Sequence, residues 1–284
     1  MRRLASALVL DCDLSELRLL LERYAGVLLD QSSDYLRERI AQYAASVQIR
    51  TGADLIASLR ASAAECDGLL EILLDHHGSF LHHPELFDVF EQCVLPQIEG
   101  RKQNDNPRSL RVLSAGCSSG EEPYSIAMSI CEALNGSCSG WNIHIIASDI
   151  RRGALSFAER GLYPEEALRA LPHEWLPTYF SRVGNHLLLK PRVRNLVTFT
   201  PMNLAQANFI GRFDCIFCVD VLSYFSAGQR SALLQRLHMF LEPGGCLFVG
   251  EAERVTSEFG FQSESHLNCT YYRRPIAAAA RSGR

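Results

Sequence analysis

Between Leu14 and Ala45 the apolar residues recur at helical spacing: Leu17, Leu20, Leu21, Tyr24 and Leu28, then Tyr35, Ile40 and Tyr43. Asp13 and Ser32 or Ser33 stand where N-caps belong. ADLIASLRAS and DGLLEILLDHH keep the same period, so residues 1–83 are expected to form an all-helical domain. A further helix is expected after Pro84, over ELFDVFEQCVLPQIE, and the polar run EGRKQNDNPRS reads as an exposed connector, making 84–108 a linker. Beyond it the period changes. RVLSAG, IHIIASD, LVTFTPMNL, FDCIFCVDVL and GCLFVGEA are strand-like runs, while GEEPYSIAMSICEAL, GALSFAERG and QRSALLQRLHMFL between them are helical. This alternation predicts an α/β domain over 109–275 with an open, mostly parallel, doubly wound sheet. A small β-subdomain is expected at about 181–197, with a hairpin over Leu187–Arg194, and the tail 276–284 is expected to be disordered.

The 28 Lys+Arg against 32 Asp+Glu leave a net charge of −4, which argues against general affinity for nucleic acid or a membrane surface. No apolar run reaches the roughly 18–20 residues needed to span a bilayer. Met1-Arg2-Arg3 followed by LASALVL imitates a signal peptide, but the run is short and Asp11 precedes Cys12, so a cytoplasmic protein is expected. Of the 10 cysteines, Cys131, Cys215, Cys218 and Cys246 lie in apolar stretches and read as reduced, buried thiols. Cys215 and Cys218 have CxxC spacing, yet strand alternation sends their sulfurs to opposite faces, which argues against zinc or redox chemistry there.

The strand RVLSAG runs directly into Cys117-Ser118-Ser119-Gly120-Glu121-Glu122 and a helix, a turn at the carboxyl end of a strand where such sheets bind ligands. Gly116 and Gly120 permit close backbone approach. Two acids at the helix start disfavour a phosphate and favour a cationic ligand, such as the sulfonium and ammonium of S-adenosylmethionine (AdoMet). A helix start whose acids merely suit the dipole has the same sequence. The strand IHIIA ends in Ser148-Asp149, where an acid can hold two ribose hydroxyls or cap a helix.

SAGCSSGEEPYSIAM, followed in order by SDI, ALRALPHEWLPTYF, MNL, FDCIFCVDVLSYF and LEPGGCLFVGEAE, resembles the CheR-type protein-glutamate O-methyltransferases of bacterial chemotaxis over nearly the whole chain. The resemblance implies a class I AdoMet-dependent methyltransferase domain behind a helical domain, methyl transfer to receptor glutamates, and S-adenosylhomocysteine (AdoHcy) as product. Position by position it implies Glu121 on the methionine end, Asp149 on the ribose, Asn203 and Leu204 beside the adenine, and Tyr224 as the active-site tyrosine. Ala115, Gly116, Val219 and Asp220 fall on further cofactor positions.

Two segments depart from the family pattern. Val219-Asp220 replaces an Arg-Asn pair, and His76-His77-Gly78-Ser79-Phe80-Leu81-His82 replaces N-x-T-x-F-F-R, so His76, Gly78 and His82 stand at cofactor or catalytic positions with altered chemistry. An arginine offers a permanent bidentate fork, whereas an imidazole titrates near 6.5. Two functions follow: methyl-esterification of glutamate side chains of a chemoreceptor or receptor-like protein, or a catalytically degenerate AdoMet- or AdoHcy-binding regulatory or scaffolding module. His76, His77, His82 and His83 are expected to be solvent-exposed histidines and not a metal site, since no Cys lies close and the family uses no metal here. The second helix sets Arg37 and Arg39 against Asp34 and Glu38, a nearly neutral face where the family's is basic. The region Phe180–Val197 lacks the extra glycine-containing loop of relatives that bind a receptor's C-terminal peptide, so tethering by that route is not expected.

Overall fold

The computed structural model describes residues 12–74, 78–105, 107–134, 140–207, 210–266 and 269–276. The expected tail and the signal-like N-terminal run lie outside the described residues, apart from Cys12 and Ile276. Helices Leu14–Ala25 (α1), Ser33–Ser46 (α2), Gly52–Ala61 (α3) and Ala63–Leu73 (α4) come first. Each begins at a side-chain cap: Asp13, Ser32, Thr51 and Ser62 accept hydrogen bonds from backbone N–H groups two or three residues on. Their apolar stripes meet around Leu17, Leu21, Leu36, Ile40, Leu69 and Leu73, all fully buried.

A continuous helical run follows, made of Pro84–Val89 (α5), a π-type turn at Phe90–Val94 and Leu95–Arg101 (α6). Pro96 has no N–H to donate, and the widened turn before it is where the ladder changes register.

The large sheet holds Arg108–Ala115 (β1), Trp141–Asp149 (β2), Val197–Pro201 (β6), Phe213–Cys218 (β7), Leu241–Val249 (β8), Gln262–His266 (β9) and Cys269–Arg273 (β10). Its order is β6-β2-β1-β7-β8-β10-β9, parallel from β6 to β8 and antiparallel at β10 and β9. The chain steps outward from β1 on one side and from β7 on the other, so the carboxyl ends of these two strands flank the switch point. Strand alternation in β7 gives Cys215 and Phe217 to the core beside Phe90 and Phe248, and Ile216 and Cys218 to the opposite core beside Leu233 and Leu237. The two sulfurs of the CxxC therefore do face apart, and all the described cysteines are free thiols.

The small sheet differs from the sequence reading. Its strands are Leu162–Pro164 (β3), Phe180–Val183 (β4) and His186–Leu189 (β5), in the order β3-β5-β4, and Pro191–Arg194 is a helical turn. Val197–Pro201 pairs with β2 in the large sheet, as the run LVTFTPMNL predicts, so the small sheet ends before Val197. Three residues after a helix carry too little alternation to announce β3, and edge pairing of Val197 is decided by β2. The polar strand β9, QSESH, gave no apolar signal either.

The helical unit closes over the carboxyl ends of the sheet. Leu28 N–H donates to the Tyr224 carbonyl at 2.6 Å, Val27 bridges Phe225, and Asn203 Nδ2 donates to the Tyr24 carbonyl at 2.8 Å. From α4, Glu71 accepts from Gly153 N–H at 2.9 Å and Ala154 N–H at 3.2 Å, capping the helix Arg152–Arg160 (α8) from another part of the chain.

Candidate functional site

After Ala115 the chain passes through Gly116 (φ 84°), Ser118 (φ 49°) and Gly120 (φ 95°) before entering the helix Glu121–Ala133 (α7). A Cβ on Gly116 would lie 2.5 Å from Val221 Cγ2, and one on Gly120 2.6 Å from Ala158 Cβ, so both turns require glycine. The loop is pinned to β2: Gly116 and Cys117 N–H donate to the Ser148 carbonyl at 2.8 and 2.9 Å, and Ser118 N–H donates to Asp149 Oδ2 at 2.8 Å.

Beside this loop lies a cavity of about 480 Å³, a size suited to a nucleoside-scale ligand. Gly78, His82, Gly116, Asp149, Asn203, Leu204, Val219, Asp220 and Tyr224 line it, together with Ala25, Val27 and Leu74 of the helical unit. Ala115 is fully buried at the end of β1 and does not reach the cavity. His76 and His77 lie outside the described residues.

The two acids of the loop divide. Glu121 is buried beside the cavity, its oxygens accepting from Ser119 Oγ at 3.0 and 2.7 Å, and burial raises its pKa. A Cβ at Gly78 would fall 2.4 Å from Glu121 Oε2, so the bare glycine is what leaves room for that carboxyl. Glu122 lines the cavity itself and accepts from Ser114 Oγ at 2.6 Å. Burial pushes its carboxyl up from the ordinary 4.5 to about 7, with Asp220 adding to the rise and the Ser114 hydroxyl opposing it. The resemblance puts Glu121 on the ligand, whereas in the structure Glu122 is the acid that lines the cavity and Glu121 stands beside it.

Asp149 is held more tightly than a strand-end acid requires. Its Oδ1 accepts from Arg151 N at 2.9 Å and Arg151 Nε at 3.1 Å, and both side chains are nearly fully buried. Arg151 is the only Lys or Arg lining the cavity among the described residues, and no sequence signal marked it. Asn203 spends its side chain on the Tyr24 carbonyl and on Ala205 N–H, which fixes the turn before Leu204.

Tyr224 sits on the 3-10 turn Leu222–Tyr224 that follows β7. In the same cavity lining, half-exposed His82 and Asp220 meet: His82 Nε2 and His83 Nε2 lie 3.2 and 2.8 Å from Asp220 Oδ2. His83 Nδ1 is 3.3 Å from Glu85 Oε1, and His82 Nδ1 is 3.2 Å from Ser79 Oγ. Burial works against a charged His83, but the bond to Asp220 and the nearby Glu85 carry its pKa above 6.5.

Residues 76–271 match the family described as CheR methyltransferase, SAM binding domain. The chain is 33% identical over 257 residues to chemotaxis protein methyltransferase 1 of Pseudomonas aeruginosa, covering 87% of this chain and 92% of that protein. It is 32% identical over 255 residues to chemotaxis protein methyltransferase Cher2 of Pseudomonas putida, covering 86% and 91%. Among solved structures, the N-methyltransferase NodS of Bradyrhizobium japonicum in complex with S-adenosyl-L-homocysteine aligns with 65% of this chain and 98% of its own, at 13% identity and a TM-score of 0.37.

Proposed function

Since the chain belongs to the CheR methyltransferase family, we propose that it methyl-esterifies glutamate side chains on the cytoplasmic part of a chemoreceptor or receptor-like protein. The fold is that of the class I AdoMet-dependent methyltransferases, and AdoMet is the cofactor. The observation that carries the reading is one cavity, at the switch point of the sheet, that gathers Glu122, Asp149, His82 and Tyr224 from four separate segments. Its contents suit AdoMet: acids for a cationic ligand, an oriented carboxylate for ribose hydroxyls, and apolar walls from Met202, Leu204 and Phe225.

AdoMet supplies a methyl group on a sulfonium, open to displacement by a carboxylate. Asp149 would hold the ribose hydroxyls with a carboxylate whose orientation is already fixed by Ser118 and Arg151. Glu122, which lines the cavity, and Glu121, buried beside it, would supply the negative charge for the methionine end. A substrate glutamate with a pKa near 4.3 is already ionised at neutral pH, so the protein needs no strong base. Its work is to hold the carboxylate in line within a partly dry space, and Tyr224 and His82 stand at the mouth to do so.

Radiolabelled AdoMet supplied with membranes from the protein's own host should give base-labile methyl esters on a receptor band, at a much reduced rate for Tyr224→Phe. AdoHcy binding by calorimetry without any ester formation would reject the enzymatic reading in favour of a cofactor-binding module.

A further inference from the structure

We propose that His82, His83 and Asp220 bind a divalent metal ion of the zinc class at the mouth of the cofactor cavity, where the ion receives the substrate carboxylate. The second half rests on the function proposed above; the first does not.

Their ligand atoms lie within 4.8 Å of one another, and the two Nε2 atoms converge on one oxygen, Asp220 Oδ2, at 3.2 and 2.8 Å. Ligands bonded to zinc at roughly 2.0–2.1 Å stand about this far apart. Two imidazoles and one carboxylate, with the remaining positions open, are a donor set that zinc and similar ions use for reactive sites.

The outer nitrogens are already engaged. Glu85 sits on Nδ1 of His83 and Ser79 on Nδ1 of His82, which orients both Nε2 atoms inward. A carboxylate or hydroxyl behind a metal-binding histidine is how such ligands are held in tautomer and direction.

The backbone is bent to the same end. Leu81, His83 and Asp220 have φ of 48°, 57° and 56°, conformations that non-glycine residues keep only where the surroundings impose them, commonly at functional sites. Gly250, at the end of β8, completes the arrangement: a Cβ there would lie 2.0 Å from Asp220 Oδ1.

Charge supplies the reason for an ion. Among the described residues lining the cavity the only Lys or Arg is Arg151, and it is paired with Asp149. The acids Asp220 and Glu122 line the same cavity. An incoming carboxylate would meet like charge there, whereas a dication bound by Asp220 and the histidines reverses the sign and offers an open position. His82 and Asp220 line the cavity, so that position opens towards it.

Full-length protein stripped with a chelator and titrated with Co²⁺ should show the visible absorption bands of a bound ion at micromolar concentrations, displaced by Zn²⁺. His83→Ala and Asp220→Asn should each weaken Co²⁺ binding at least tenfold, and circular dichroism of the same variants reports whether they are folded. Absence of bands, or equal Co²⁺ affinity in both folded variants, overturns the metal site. Single-turnover methyl transfer to a receptor segment should slow at least tenfold on stripping and recover with Zn²⁺. Esters formed at an equal rate without metal overturn the carboxylate clamp and leave the methyltransferase reading standing. No esters under any condition reject that reading, while the cobalt spectrum still judges the metal site.

Discussion

Glu122 carries the clearest pH signature of any single residue in the cavity. Its pKa is raised from 4.5 to about 7, so the folded protein keeps a proton that the unfolded chain has given up across that window. The stabilisation is present below about 4.5 and is lost as pH rises through about 7. A cationic ligand beside Glu122 favours the ionised form, so AdoHcy binding is expected to release protons near pH 6.5 and to tighten about tenfold between pH 5.5 and 8.5. Calorimetry in buffers of different ionisation enthalpy measures both, and Glu122→Gln should flatten them; an unchanged proton release in that variant would move the titration elsewhere. Asp149 calls for a gentler substitution than alanine. Removing it would strand the buried Arg151 guanidinium at a cost of about 3–5 kcal/mol, so Asp149→Asn is the variant whose loss of AdoHcy affinity reports on the ribose contact. At the mouth, His82→Arg replaces a proposed ligand with a permanent cation, and its methyl transfer should become insensitive to chelator while the wild type remains sensitive.

At the scale of elements, the joints between the helical unit and the sheet depend on a few borrowed hydrogen bonds. Helix α8 has no side-chain cap of its own, and Glu71 of α4 supplies the acceptor for its first turn. Glu71→Ala should destabilise the protein by about 1 kcal/mol in urea denaturation, within the usual range for a lost cap. A cost near zero would mean that water replaces the carboxylate fully. The connector before β1 is anchored as well, since Lys102 Nζ pairs with the buried Asp214 at 2.6 Å. The sequence reads this stretch as polar and exposed because an anchoring lysine has the same composition as a solvated one. Gly116→Ala should cost about 1–3 kcal/mol, because its φ is 84° and the added methyl meets Val221. Adding Val221→Ala should recover the steric part only.

Over the whole molecule, the cavity is assembled from both units: Ala25, Val27 and Leu74 come from the helices, and the remaining walls from the sheet's loops and the segment before α5. A ligand seated there bridges them, so AdoHcy should stabilise the entire fold and not the sheet alone. At one hundred times its dissociation constant a ligand adds about 2.7 kcal/mol, a rise in melting temperature of roughly 5 °C for a chain of this size. Differential scanning calorimetry should show one transition moving as a unit. A sheet transition that shifts while a separate helical transition stays fixed would mean that the units are not coupled through the cavity.

Local pattern was enough for the helical lead, the strand–helix alternation, the doubly wound sheet and the turn from Gly116 to Glu121, because periodicity, caps and glycine turns are written over a few adjacent residues. The split between Glu121 and Glu122 was not, since neighbouring helical positions point about 100° apart and only the packed surroundings decide which direction is the cavity. The meeting of His82 and His83 with Asp220, the pairing of Arg151 with Asp149 and the use of Asn203 on Tyr24 were also settled by tertiary structure. The small sheet's limits belong with them, because a short strand takes its identity from the strand it pairs with. In each case the chemistry of the residue is local, but its partner is brought by the burial of distant apolar faces, and that burial is a property of the assembled core.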